Sequence, residues 1–216
     1  MRIWRGVGEN VAIDRGSKDV TVDLGDPVKP AAYPLPIKSR PAHRKNYRYA
    51  NPSRVIKFVV IHCTDGHEGV TKDDDVAAMF ASRELHPRRS CHYVVDADSA
   101  TQCVPDESVA WHCGSTGNLY GVGIEICGFA RQTRTQWLDA TSKATLGIAA
   151  RLTYELCRAY KLPLVLLDAT ALRRGDWGIT THAAVSQAWR ESSHTDPGQF
   201  FPVDQFMRAV TLAARP

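Results

Sequence analysis

The apolar run Val55-Ile-Lys-Phe-Val-Val-Ile-His62 is rich in β-branched residues and predicts a buried strand that delivers His62 at its C-terminal end. A turn-rich loop, Thr64-Asp-Gly-His-Glu-Gly, follows it. Next, the acidic start at Asp73-Asp-Asp and the apolar spacing behind it predict a helix that ends before Pro87. His92-Tyr-Val-Val-Asp and Thr101-Gln-Cys-Val predict a hairpin around Asp96-Ala-Asp-Ser. Tyr120-Gly-Val-Gly-Ile-Glu-Ile-Cys reads as a short central strand with a carboxylate, Glu125, midway along it, where unpaired burial is costly. Residues 135–160 predict the longest helix, with Leu138, Thr141, Thr145, Ile148, Leu152, Leu156 and Ala159 on its core face. Leu164-Val-Leu-Leu reads as a buried strand, Asp168 caps a short helix that Gly175 ends, and residues 201–212 predict a closing amphipathic helix. Strands and helices interleave, so the expected class is α/β, a small mixed central sheet flanked by helices in a single domain spanning 54–216.

Residues 1–53 follow another pattern. Short β-like pieces such as Asp19-Val-Thr-Val-Asp-Leu carry too little apolar surface for a core of their own. Residues 27–52 hold half of the prolines and predict an extended linker, or a strap laid over the domain. Charge divides the same way: residues 1–54 carry 11 basic and 5 acidic side chains, and the net charge of +4 arises there. A basic arm of this kind attracts a polyanion or is simply a solvated tail.

An apolar share of 44% is ordinary for a globular core. The six cysteines form no CxxC pair and sit in or beside mostly apolar runs, which points to reduced, buried thiols; a disulfide is the alternative for a protein working outside the cell. No apolar stretch is long enough to span a bilayer, and the N-terminus lacks an apolar leader core, so synthesis in the cytosol is expected.

Chemistry concentrates in residues 178–198, Gly-Ile-Thr-Thr-His182 at one end and Ser-His194-Thr-Asp196-Pro-Gly at the other. One imidazole and one carboxylate on a loop shaped by Pro and Gly look like half of a metal site, and His62 is the best third ligand. Two histidines and a carboxylate leave a fourth tetrahedral position on zinc for water, as catalytic zinc sites do. The competing readings are an ordinary polar strand-end histidine and a turn-forming Asp.

Five segments, Val-Ile-His62-Cys-Thr, Ala-Trp111-His112-Cys-Gly, Gly-Ile-Glu125-Ile, Gly-Ile-Thr-Thr-His182 and His194-Thr-Asp196-Pro-Gly, resemble in order the motifs of the type 2 N-acetylmuramoyl-L-alanine amidases. The resemblance runs from about Arg54 to the C-terminus. It implies a zinc hydrolase that cuts the amide between the lactyl group of muramic acid and L-alanine in peptidoglycan. On that resemblance His62, His182 and Asp196 take the three zinc-ligand positions, Glu125 is the base or water-orienting group, and Trp111 and His112 line the substrate groove. Trp111 in the core and Glu125 paired to an Arg are the plainer readings. Two positions depart from the pattern. Cys91 stands where some members have a Tyr, and His194 stands where many have a Lys, leaving His194 as an oxyanion-stabilising group or an alternative ligand.

The reading favoured by a basic arm on a compact catalytic domain is a monomeric phage endolysin. Such a protein is made in the host cytoplasm, acts on the wall after release, and uses the arm to hold an anionic wall polymer, with no nucleic acid partner. A cytosolic muropeptide-recycling amidase and a noncatalytic peptidoglycan-binding module are the alternatives.

Overall fold

The computed structural model describes residues 26–49 and 53–215; the β-like pieces expected in the first 25 residues lie outside the described residues. Its strands are β1 (Ile37–Ser39), β2 (Tyr47–Arg48), β3 (Phe58–Cys63), β4 (Tyr93–Val95), β5 (Ala100–Gln102), β6 (Val109–Ala110), β7 (Gly121–Ile126) and β8 (Gly178–Thr181). The helices are α1 (Lys72–Ala81), α2 (Ser115–Tyr120), α3 (Arg134–Trp137), α4 (Ala140–Tyr160), α5 (Ala169–Arg174), α6 (His182–Trp189) and α7 (Val203–Ala213). Six strands form one mixed sheet in the order β1-β5-β4-β7-β3-β8, and β2 pairs with β6 beside it. The expected hairpin is β4 and β5, antiparallel, whereas β4, β7, β3 and β8 run parallel.

Because side chains alternate along a strand, β3 sorts its residues between two layers. Val59, Ile61 and Cys63 face a core shared with Trp137, Leu146, Leu152 and Phe206 of α3, α4 and α7. Phe58 and Val60 face the other way, against Cys113, Leu172 and Val185 near α5 and α6. The same alternation puts His62 on that second face. In β7, Val122, Ile124 and Ile126 join the α4 side, which leaves Gly121, Gly123 and Glu125 for the face of His62. A third cluster, including Ala42, Tyr47, Phe80 and Val94, packs under α1.

Two elements differ from their expected form. The long helix is two: a capping box of Thr133 and Gln136 starts α3, and the Asp139 side chain accepts from Ser142 N–H to start α4 afresh. Its apolar stripe is core at Thr145, Ile148, Leu152 and Leu156 but runs out to solvent at Thr141 and Ala159. The segment 164–167 is an outer fringe of the sheet rather than a buried strand. It makes one bridge, Leu166 to Ile179, and leaves Val165 and Leu166 exposed because no further strand covers them.

Described residues of the Pro-rich segment lie against the domain. β1 extends the sheet beside β5, and Val28 is fully buried in the core. Gly147 lets the segment cross α4, since a Cβ there would stand 2.4 Å from the Lys29 carbonyl. Ala31 N–H donates to the Gly147 carbonyl, and Arg151 Nε to that of Ala31. Lys38 pairs with Asp73 and Asp74 at the start of α1. All six cysteines are free thiols and all are buried. Among the described residues no helix is long and apolar enough to cross a membrane.

Candidate metal centre and cleft

The C-terminal ends of parallel β7, β3 and β8 meet on one edge, the edge where open α/β sheets place their ligands. Register aligns His62 with Glu125 and Ile61 with Thr181. His182 follows Thr181 and begins α6, whose N-cap is the Thr181 side chain accepting from Ala184 N–H. Asp196 arrives on the loop after α6. Its carbonyl accepts Ala183 N–H at 3.0 Å, tying that loop to the first turn of the helix. Gly198 fixes the loop from its far side: φ is +99°, and a Cβ would fall 2.0 Å from the Ala130 carbonyl oxygen. Only glycine allows both that conformation and that approach.

These constraints bring together three groups that are far apart in sequence. His62 Nδ1 lies 3.0 Å from Asp196 Oδ2, and His182 Nδ1 lies 3.0 Å from Asp196 Oδ1. One donor atom from each of the three falls within 4.8 Å of the others. All three side chains are buried. Burial lowers the His62 pKa, more than its contacts with Asp196 raise it, so the ring is held neutral. Burial would raise the Asp196 carboxyl, but hydrogen bonds with His182 and His62 outweigh it and hold the group ionised, well below the usual carboxylate range. Neutral imidazoles and an ionised carboxylate are the forms a divalent ion needs.

Glu125 stands next to this group. Burial and the charge of Asp196 push its pKa well above the carboxylate range, with Arg89 opposing. Its Oε2 is enclosed without a hydrogen-bond partner among the described residues. The plainer expectation of a Glu125–Arg ion pair is not met: Arg89 donates to the Pro87 carbonyl and to Met79 Sδ instead. A buried acceptor left open, beside two imidazoles on one carboxylate, fits a centre completed by a cation and a water.

A cleft of about 750 Å³ opens over these residues and is lined in part by Trp111, Arg89, Met79, Glu191 and His194. Trp111 is half-buried, its backbone pinned to Ser90 through Trp111 N–H to Ser90 Oγ and Ser90 N–H to the Trp111 carbonyl. His194 is mostly exposed; its ring stacks on His182 at 5.0 Å, and its Nδ1 is 3.8 Å from Asp196 Oδ1. His112 also lines the cleft, but its Nδ1 is already engaged at 2.8 Å with His62 Nε2, and its Nε2 faces Cys113 Sγ at 3.9 Å. Cys63 points to the α4 layer, away from the three donors. Sequence reading passed over Ser192, whose Oγ is 3.0 Å from His182 Nε2, and Glu191, which holds Thr116 N–H and Oγ1. Short polar residues in a loop carry no signal of that kind without the fold.

Residues 52–199 match the family model described as N-acetylmuramoyl-L-alanine amidase, and the chain belongs to that amidase family of peptidoglycan enzymes. Among solved structures it is similar to the hydrolase AmiA of Staphylococcus aureus, at 20% identity and TM-score 0.64 over 82% of each chain. It is also similar to the catalytic domain of XlyA, at 18% identity and TM-score 0.56 over 82% of this chain and 99% of that one. An AmpD derivative gives 21% identity and TM-score 0.56 over 81% and 94%. At these identities the likeness is one of fold. None of the curated protein sequences matches the chain.

Proposed function

We propose that this chain is a zinc-dependent amidase of the endolysin kind, cutting the amide between the muramic acid lactyl group and L-alanine in intact bacterial walls. One observation carries the reading. Two inward Nδ1 atoms stand 3.0 Å from different oxygens of one buried carboxylate, and the unpartnered Glu125 oxygen is in register beside them. His62, His182 and Asp196 would hold the ion. Zinc supplies there a Lewis acid for the scissile carbonyl and brings the pKa of water down towards about 7.

The remaining work falls to the chain itself. Glu125, in register with His62 and with an open carboxyl oxygen, takes a proton from the attacking water and returns it to the leaving amine of L-alanine. His194, at the open mouth of the centre, stabilises negative charge developing on the carbonyl oxygen. Trp111 offers a flat apolar face for a sugar or peptide. Exposed Lys29, Arg40, Arg44, Lys45 and Arg48 give the described part of the N-terminal segment a cationic surface for an anionic wall polymer.

The test is release of stem peptide from purified walls, with and without a chelator, and with zinc added back. Release that the chelator abolishes and zinc restores is expected. Binding to walls with no release under any metal condition would make the protein a recognition module. Preference for soluble muropeptides over intact sacculi would make it a recycling enzyme.

A further inference from the structure

The metal reading uses the inner nitrogens of His62 and His182 and leaves the outer ones unassigned. Each outer nitrogen has a specific neighbour: Ser192 Oγ at 3.0 Å from His182 Nε2, and His112 Nδ1 at 2.8 Å from His62 Nε2. An imidazole that gives its inner lone pair to a cation keeps its proton on the outer nitrogen, and in a buried site that N–H needs an acceptor. We propose that His112, expected from sequence to touch substrate, is instead a positioning residue: its Nδ1 accepts the His62 Nε2 proton and aims His62 Nδ1 at the metal centre. This rests on the zinc reading above.

The surroundings of His112 are built for that contact. Asn118 Oδ1 accepts both His112 N–H and Cys113 N–H at 2.8 Å, fixing the backbone that carries the ring. Arg54, reaching from the start of the domain, donates to the carbonyls of Ser108, Asn118, Leu119 and Gly121 and locks the same loop to β7. Gly123 clears the space the ring occupies: a Cβ there would stand 2.7 Å from His112 Nδ1 and 2.6 Å from Cys91 Sγ. The two rings stand 80° apart with centroids 4.9 Å from each other, and His62 Nε2 and His112 Nδ1 are the atoms that meet, at 2.8 Å. With Nδ1 on His62 and Nε2 towards Cys113, neither nitrogen is free for a ligand in the cleft.

The decisive measurement is zinc affinity, by competition with a chromophoric chelator, for the wild type, His112→Ala and His112→Gln. His112→Ala should bind zinc roughly 10–100-fold more weakly. The Gln variant, whose amide oxygen restores an acceptor, should recover most of the loss. In the zinc-loaded wild type, ¹⁵N spectra should place the His62 proton on Nε2, a readout that needs no variant to fold. Zinc affinity unchanged in His112→Ala with KM raised for wall fragments would return His112 to substrate binding and overturn the proposal. So would a His62 proton found on Nδ1. A wild type that binds no zinc would sink the zinc reading itself, an outcome distinct from a wild type and His112→Ala that bind zinc equally well.

Discussion

Asp196 is the one acceptor on which both inner imidazole nitrogens converge, so Asp196→Ala should abolish zinc retention and wall hydrolysis together, as metal analysis of the purified variant would record. Glu125→Gln should separate the two properties. Metal content stays at the wild-type level while turnover falls by about 10²–10⁴, the range for losing a positioned general base. Full turnover in a zinc-loaded Glu125→Gln protein would remove Glu125 from the chemistry. His92 offers a test of pH dependence away from the cleft. It is fully buried, its Nδ1 accepting Gly123 N–H and its Nε2 beside the Ser108 carbonyl, and burial with the nearby Arg54 lowers its pKa from 6.5 to about 3. Between those values the unfolded chain binds more protons than the folded one. The stability held above pH 6.5 is therefore lost as pH falls towards 3, on the order of a few kcal/mol in all. Urea midpoints from pH 7 to 4.5 should fall less steeply for His92→Gln than for the wild type. At this scale the three residues that the fold brings together, His62, His182 and Asp196, could be singled out, because two histidines at strand ends and a Thr-Asp-Pro-Gly turn are unusual chemistry in a short space. The engagement of His112 was not, since it depends on Gly123 leaving room on a neighbouring strand.

Among the elements, β7 carries its two faces in its sequence, with Val122, Ile124 and Ile126 on the packed one and glycines and Glu125 between them, whereas β3 is apolar on both faces and reads only as a buried strand. The division of the long helix escaped a periodicity argument because Leu138 still falls near the core while Asp139 restarts the hydrogen bonding locally. The fringe at 164–167 misled for a different reason. Its composition is that of a core strand, but its neighbours supply cover on one side only. The reach of the Pro-rich segment was half legible: a strap was one expectation, while its pairing with β5 depends on partners more than sixty residues away. This sets where the folding unit begins. A chain started at residue 50 would lose Val28, β1 and the Lys38–Asp73 pair. Burial of Val28 alone is worth about 1.5–3 kcal/mol, so the urea midpoint of the shortened chain should fall clearly. An unchanged midpoint would show that residues 54–216 stand alone.

For the molecule as a whole, an ion bound only by the folded state stabilises it by mass action, about 2.7 kcal/mol at a free concentration 100 times the dissociation constant. Melting should therefore shift upward with added zinc and downward with a chelator, and the shift should vanish in Asp196→Ala. Attraction of the cationic N-terminal surface to walls should weaken as salt shortens the screening length. Pull-down on purified walls at rising ionic strength, comparing the wild type with a variant neutral at Arg44, Lys45 and Arg48, tests it; equal retention would leave those residues without a polymer to hold.

The six enclosed thiols have a practical corollary. Burial raises the pKa of every one of them, and none has a disulfide partner, so the folded molecule presents almost no reactive sulfur to an alkylating reagent. Labelling by such a reagent then counts the openings of the chain. Sulfurs packed on both faces of the sheet, Cys157 on one and Cys113 on the other, report which layer gives way first.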